Sequence, residues 1–285
     1  MGHIHDEQVK KMELKAVRIR REIIKMLATA GSGHSAGSLG MADIFTAFYF
    51  HVLRHNPKRP DWPDRDRLIL SNGHVCPARY AAMAEAGYFP KSWLRKLRRP
   101  DSPLQGHPER TRLPGLETTS GPLGAGLAQA AGMAYAAKMD GKRWHTFCLT
   151  SDGEHDAGSH WEAVMFAGNR HLDNLTCVID RNNIQIDGTT EIVMPLEPLM
   201  EKYEIFNWHV IEVDGNDLRQ VVDAIHEAKA VSEQPTAIIA HTIPGHGVDF
   251  MEGDYRWHGR APDPQQAKRA LDQLDAYEKG LRADH

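Results

Sequence analysis

The feature that most constrains this chain is a set of short, almost unbroken apolar runs at residues 68–70, 144–150, 175–180, 208–213 and 236–241. Each is short enough to be a strand, and each is followed by a polar or glycine-bearing turn. Between and before them stand segments with helical spacing or helix-favouring composition. In residues 7–30, Val9, Met12, Ala16, Ile19, Ile23, Met26 and Leu27 share one face, and Gly31-Ser32-Gly33 ends the pattern. Further helices are predicted over 41–52, 75–86, about 126–139, 158–169, 196–205, 217–231 and 264–281. Strands buried on both faces lose the in–out alternation of a solvent-facing sheet. The pattern therefore predicts an α/β fold with a central, mostly parallel sheet and helices on both faces. The 285 residues suit a single large domain (1–285) with a helical tail over 262–285. Residues 100–126 read as a loop long enough to suggest a functional role.

Composition excludes several classes. Apolar residues make up 41%, charged residues 25%, and the formal net charge is −4, which argues against a nucleic-acid partner. The basic stretch Arg95-Lys96 with Arg98-Arg99 reads as a solvated helix face or a neighbour of a substrate phosphate. No apolar stretch is long enough to span a bilayer, so no membrane partner is expected, and the start Met1-Gly2-His3-Ile4-His5-Asp6 has no apolar signal region. Cys76, Cys148 and Cys177 form no disulfide framework. The last two sit inside strand runs as small hydrophobes, and a reducing, cytoplasmic setting is the expectation.

In parallel α/β sheets ligands bind beyond the carboxyl ends of the strands. Ser151-Asp152-Gly153-Glu154 follows one predicted strand, and Asp180-Arg181-Asn182-Asn183-Ile184 closes the next. Each alone is an ordinary turn. On adjacent strands, Asp152 and Asn182 would offer two oxygens to one hard cation, as Mg²⁺ requires when a diphosphate completes its shell. Histidine is abundant, at 17 residues, and several lie beside glycine, among them His34, His74, His107, His246 and His258. Glycine permits close backbone approach, and a neutral imidazole can donate or accept near pH 7. The segment Gly121 to Gly126 matches neither the triphosphate-cradling loop nor the dinucleotide fingerprint. No nucleophile elbow or His-Glu-x-x-His zinc motif occurs.

Taken in order, Gly33-His34, Ser71-Asn72-Gly73-His74, Gly106-His107-Pro108-Glu109, Thr119-Ser120-Gly121-Pro122-Leu123-Gly124, Ser151-Asp152-Gly153-Glu154, Leu172-Asp173-Asn174-Leu175, Asn182-Asn183-Ile184-Gln185-Ile186-Asp187-Gly188 and Trp257-His258-Gly259-Arg260-Ala261-Pro262 form a series. That series resembles the N-terminal, thiamine-diphosphate-binding half of transketolases, from about residue 7 to 262. A chain covering this half looks like the N-terminal subunit of a split transketolase.

The resemblance implies a thiamine-diphosphate-binding fold and transfer of a two-carbon ketol unit from a ketose to an aldose. It implies thiamine diphosphate with Mg²⁺ (or Ca²⁺ or Mn²⁺), the metal held by Asp152, Asn182 and the carbonyl of Ile184. His74, Gly121, Leu123, Gly153, Glu154, Asn182 and His258 would serve the cofactor, and His34, His107 and His258 the sugar. The pyrimidine-binding and C-terminal domains, with the glutamate that activates the aminopyrimidine and most of the substrate-phosphate site, would lie on a C-terminal partner subunit in a two-plus-two assembly. Sugars or sugar phosphates are the implied substrates. Three positions depart from the pattern. Ser151 replaces a glycine, Ala157 replaces an acid with Asp156 one residue earlier, and His246 stands in a loop that is ordinarily lysine-rich. These leave open a subunit like that of a deoxyxylulose-phosphate synthase, or one that binds cofactor without catalysing turnover.

Overall fold

The computed structural model describes residues 4–283, so Met1 to His3 of the N-terminal reading lie outside the described residues. Five strands, β1 (Arg67–Leu70), β2 (Thr146–Ser151), β3 (Leu175–Arg181), β6 (His209–Asp214) and β7 (Thr236–His241), form one parallel sheet in the order β1-β2-β3-β7-β6. A short antiparallel ribbon, β4 (Ile184–Gln185) with β5 (Gly188–Thr189), follows β3. The helices are α1 (Asp6–Ala30), α2 (Ala36–Gly40), α3 (Ala42–Ala47), α4 (Cys76–Ala86), α5 (Gly126–Met139), α6 (Gly158–Asn169), α7 (Thr190–Val193), α8 (Leu199–Ile205), α9 (Leu218–Ala228) and α10 (Pro264–Ala283).

Alternate residues of the strands feed two separate cores. Ile69, Cys148, Cys177, Ile179, Ala237 and Ile239 face α5, α6 and α8. Leu68, Leu70, Phe147, Leu149, Val178, Ile238 and Ala240 face the other layer, built on α1, α3, α4 and α9. Helices therefore cover both faces, which is why the strands read as continuous apolar runs. In that second layer α1 carries a fully buried cation. Arg20 pairs with Asp43 through both guanidinium nitrogens and donates to the Leu39 carbonyl at 3.2 Å, and Asn216 also donates to Asp43, at 2.8 Å. Helix α10 lies along α1, tied by Arg21 to Asp275 and Glu278.

Several boundaries differ from expectation. The run 144–150 pairs only from Thr146. Trp144 instead stacks under the Arg67 guanidinium at 4.3 Å, and the His145 amide donates to Asp66 at 3.0 Å. The apolar stretch 41–52 is interrupted, with Met41 breaking α2 from α3 and a π-helical turn spanning Phe48–Val52. Helix α8 begins only at Leu199, because Pro195 and Pro198 lack the amide donors a helix interior needs. Asp217 caps α9 by accepting from the Arg219 and Gln220 amides. The ribbon β4–β5 and helix α7 carry too few residues for any periodicity to show.

Register sets the functional edge. Ser151 aligns with Asp180, and Asp180 with Ala240, so the turns after β2, β3 and β7 emerge side by side. Close approach of α6 to the end of α8 is one packing constraint beneath this edge. A Cβ on Gly168 would lie 1.8 Å from the Phe206 carbonyl oxygen, whereas one on Gly132 meets nothing within 4 Å. Gly168→Ala is expected to lower unfolding stability by about 2–4 kcal/mol, and Gly132→Ala to raise it by ~0.5–1 kcal/mol. Urea titration of the two variants checks this, and equal stabilities would show that the α6–α8 approach is not constrained.

Candidate active site

A single carboxylate organises the turns at the edge. Glu154, which is buried, accepts from the Ser71 hydroxyl at 2.6 Å, from the Ser151 amide at 2.8 Å and from the Gly124 amide at 2.7 Å. Ser71 follows β1, Ser151 ends β2, and Gly124 belongs to the glycine-rich loop before α5. The Ser71 hydroxyl oxygen also accepts from the Gly126 amide at 3.1 Å. Burial pushes the Glu154 carboxyl up, and the three donors oppose that rise.

Beside it the β2 and β3 turns interlock. Asp152 has no exposed surface. One of its oxygens accepts from the Gly153 amide at 2.7 Å, and the other from the Asn183 amide at 2.7 Å and the Arg181 guanidinium at 3.3 Å. Asn182 donates to Asp180 at 2.7 Å, so its amide oxygen is directed away from that contact, toward the Ile184 amide at 3.0 Å. Asp180 also accepts from the Thr242 hydroxyl after β7. Burial pushes Asp152 up to about 6 and Asp180 up to about 7, the latter also through the Asp152 charge. Arg181 bridges onward to Thr190, Glu191 and Glu197 at 2.7–2.8 Å, so α7 and the start of α8 hang from the same corner.

In front of this corner lies a cavity of about 320 Å³. His34, His74, His107 and His258 line it together with Gly121, Leu123, Gly153, Asn182 and Ile184. Ser151, Gln185, Ile186 and Asp187 complete the lining. Ring centroids separate His34 from His74 by 5.0 Å, from His258 by 5.5 Å and from His107 by 6.4 Å. The Ser35 hydroxyl donates to the Arg260 carbonyl at 2.6 Å, joining the His34 turn to the His258 turn. All four imidazoles are held neutral. Burial lowers His34 to about 4, helped by His258, His107 and Arg98, and lowers His74 well below its ordinary value. His107 is lowered by burial and then by Arg98, and His258 by burial. The His34 Nδ1 and the Asn72 side-chain oxygen are buried without a hydrogen-bond partner in the chain.

The chain matches the transketolase thiamine diphosphate binding domain family over residues 10–275. It is 40% identical to the 6-deoxy-6-sulfo-D-fructose transketolase subunit SqwG of a Clostridium species, covering 94% of this chain and 98% of that protein. It is equally 40% identical to an apulose-4-phosphate transketolase subunit of Actinobacillus succinogenes, over 92% and 95%. The chain belongs to the transketolase family. In the Pichia stipitis transketolase complex with sedoheptulose 7-phosphate, the matching region has a TM-score of 0.86 at 32% identity, covering 97% of this chain and 44% of that one. Near-complete coverage of the subunit-type relatives, against 44% of the rat transketolase, makes this the N-terminal subunit of a split transketolase.

The donor set suits the family's cofactor. Among the described residues no group of three or more His, Cys, Asp or Glu side chains is placed to hold a metal ion. Asp152, Asn182 and Ile184 bring a carboxylate, an amide oxygen and a backbone carbonyl to adjacent turns, and these are oxygen types that a diphosphate-bound Mg²⁺ accepts. A Cβ on Gly153 would lie 3.1 Å from the Gln185 side chain, a tight contact beside the cavity that glycine avoids. Within this transketolase subunit, Asp152 and Glu154 stand behind the cavity wall and not on it. Glu154 spends its oxygens on Ser71, Ser151 and Gly124. His246, another glycine-flanked histidine, is outside the cavity; its loop bonds to α2 through the Gly245 amide and the Ala36 carbonyl at 2.8 Å. Ser151 ends β2 in an extended conformation that serine accepts without strain. Ala157 packs against Gly124, and Asp156 accepts from Gln185 at 3.2 Å. Sequence reasoning missed Asp180 and Arg181 as the groups that orient Asn182 and Asp152. The signal available was a buried-type acid ending an apolar strand.

Two outcomes test this arrangement. Glu154→Gln puts an amide NH₂ where backbone donors converge, and is expected to cost about 2–4 kcal/mol in thermal unfolding. A cost below ~0.5 kcal/mol, the level of an ordinary surface change, would remove Glu154 as the organiser. For His34, the free imidazole near 6.5 takes up a proton before the folded one. Its contribution to stability is therefore present above pH 6.5 and lost as pH falls through about 4. Histidine NMR titration should place its midpoint near 4, and a midpoint above 6 would contradict the geometry.

Proposed function

We propose that this subunit binds thiamine diphosphate with a divalent cation, Mg²⁺ or alternatively Ca²⁺ or Mn²⁺, and acts on sugars or sugar phosphates together with a pyrimidine-binding C-terminal partner. The observation that carries this reading is the single cavity in which four neutral histidines face Gly121, Leu123, Gly153, Asn182 and Ile184. Asp152, the Asn182 amide oxygen and the Ile184 carbonyl hold the cation. His74, Gly153, Asn182 and His258 receive the diphosphate side, with Glu154 acting through the loops it ties. Gly121 and Leu123 border the aminopyrimidine. The cofactor supplies the electron sink that lets a two-carbon ketol unit pass from a ketose to an aldose.

The chain's own work is orientation and proton handling. A neutral imidazole carries one donor and one acceptor, so His34, His107 and His258 can each hold a sugar hydroxyl and take or return its proton near pH 7. Exposed Leu123, Ile186, Ile192 and Met194, all near this mouth or the α7 segment tied to it, are supported as surface for the partner subunit. Two such chains with two partners make up the assembly, in a cytoplasmic setting supported by three buried free cysteines; no helix among the described residues is long and apolar enough to cross a membrane.

Calorimetric titration of thiamine diphosphate with Mg²⁺, with and without the partner, tests the reading, and tight binding in the assembly is expected. Asp152→Ala should abolish metal-dependent binding, because diphosphate and the remaining acidic groups then repel without a cation. His107→Ala should leave cofactor affinity within about twofold and lower kcat by roughly 10²-fold or more, as loss of a proton-transfer group does. Unchanged cofactor affinity in Asp152→Ala would take Asp152 out of the site, and loss of affinity in His107→Ala would reassign that histidine.

A further inference from the structure

Two further histidines, His155 and His160, lie outside the cavity and are buried. His155 belongs to the short 3₁₀ turn Gly153–Asp156 that follows Asp152, and His160 to the first turn of α6. Their ring centroids stand 4.0 Å apart, and Tyr203 of α8 bonds to both. Its hydroxyl lies 2.8 Å from the His155 Nε2 and 2.7 Å from the His160 Nε2. Through its other nitrogen, Nδ1, His155 meets two carbonyl oxygens, that of Ser151 at 2.9 Å and that of Asp152 at 3.0 Å. An imidazole withdrawn from water carries a desolvation cost that only its hydrogen bonds offset. Filling this space alone would need no such bonds, and an apolar side chain would serve.

Donor chemistry fixes the proton on each ring. Burial keeps both histidines neutral, so each carries a single N–H. A carbonyl only accepts, which places the His155 proton on Nδ1. The His155 Nε2 is then bare and accepts from the Tyr203 hydroxyl. The Tyr203 oxygen in turn accepts from the His160 Nε2–H. The His160 Nδ1 is left bare, and it is the one nitrogen of the two rings with no partner in the chain. The Asp152 turn is thereby held from α8 at two points. Glu197, just before α8, binds Arg181 at 2.8 Å, and Arg181 binds the Asp152 carboxylate at 3.3 Å. Tyr203, within α8, acts through His155 on the Asp152 carbonyl. The His155 backbone is fixed as well: its amide donates to the Asp152 carbonyl at 3.0 Å, and its carbonyl accepts from the Trp161 indole at 2.8 Å.

We propose that His155 is a positioning residue for the cation site: its Nδ1–H clamps the Ser151 and Asp152 carbonyls, and Tyr203 with His160 locks it in the tautomer that does so. The clamp sets the backbone from which the Asp152 carboxylate is presented. The inference rests on the cation site proposed above and adds the groups that hold its turn from behind.

The test uses His155→Leu, His155→Gln and His155→Asn in the full chain, assembled with its partner and thiamine diphosphate, with Mn²⁺ as the probe read by electron paramagnetic resonance. Asparagine keeps an N–H donor near the Nδ1 position, glutamine keeps one only near Nε2, and leucine keeps neither. For His155→Leu and His155→Gln the apparent Kd for Mn²⁺ should rise roughly 10- to 100-fold, the range for removing the hydrogen bonds that orient a metal ligand. His155→Asn should stay within about threefold, because the clamp survives. Unchanged affinity in His155→Leu, or an equal loss in all three, would overturn the proposal and leave His155 a packing residue. Should His155→Leu fail to assemble, the contrast between the other two decides in the same way. Histidine nitrogen NMR of the wild type should find His155 protonated at Nδ1 and His160 at Nε2, and a His155 proton on Nε2 would also overturn the clamp. If wild type bound no Mn²⁺, the cation reading would fail by itself, and amide exchange would still decide His155. The Gly153 and Asn183 amides, which donate to the Asp152 carboxylate, should exchange about tenfold or more faster in His155→Leu than in His155→Asn. Equal exchange overturns the clamp.

Discussion

The buried Glu154 carboxylate is the constraint on which the rest of the site depends. A charge with no access to water must find its hydrogen bonds inside the fold, and the cost of leaving it unsatisfied is large. Glu154 finds them on three separate chain segments: Ser71 after β1, Ser151 at the end of β2 and Gly124 before α5. None of those turns can shift without exposing a buried donor or stranding the acid. The turn carrying His74 and the loop carrying Gly121 and Leu123 are thereby set relative to Asp152, although His74, Gly121 and Leu123 are distant from Glu154 in sequence.

The second tie has the same logic. Asp180 is buried between the Thr242 hydroxyl and the Asn182 amide, and so links the ends of β3 and β7. Arg181 reaches back to Asp152 and outward to Glu191 and Glu197. The corner is a closed hydrogen-bonded frame of backbone amides, carboxylates and one guanidinium, mounted on the rigid carboxyl edge of a sheet that is buried on both faces. Such a frame fixes the Asp152 and Asn182 side chains in place, the preorganisation that the proposed cation site requires.

In front of the frame, the electrostatics follow from burial. Loss of water disfavours the protonated form of all four imidazoles, and neighbouring imidazoles add to this at His34 and His74. The histidines thus remain proton donors and acceptors at neutral pH and do not become a cationic cluster.

Much of this was legible in the amino-acid order, because strand burial, helix periodicity and turn chemistry are local. The apolar runs named the five strands of the sheet, and the shared rule that ligands sit beyond strand carboxyl ends singled out Asp152 and Asn182. Glycine beside histidine marked four of the cavity's residues, since close backbone approach is written into the sequence as a missing side chain. What the order of residues could not specify was who satisfies whom. Glu154 read as a cofactor contact, yet two of its partners, Gly124 and Ser71, lie 30 and 83 residues away along the chain. His246 looked like its four counterparts, but its loop is pulled onto α2. Hydrogen-bond satisfaction and the direction of a side chain are decided by long-range packing, and for that reason the tertiary structure alone could assign them.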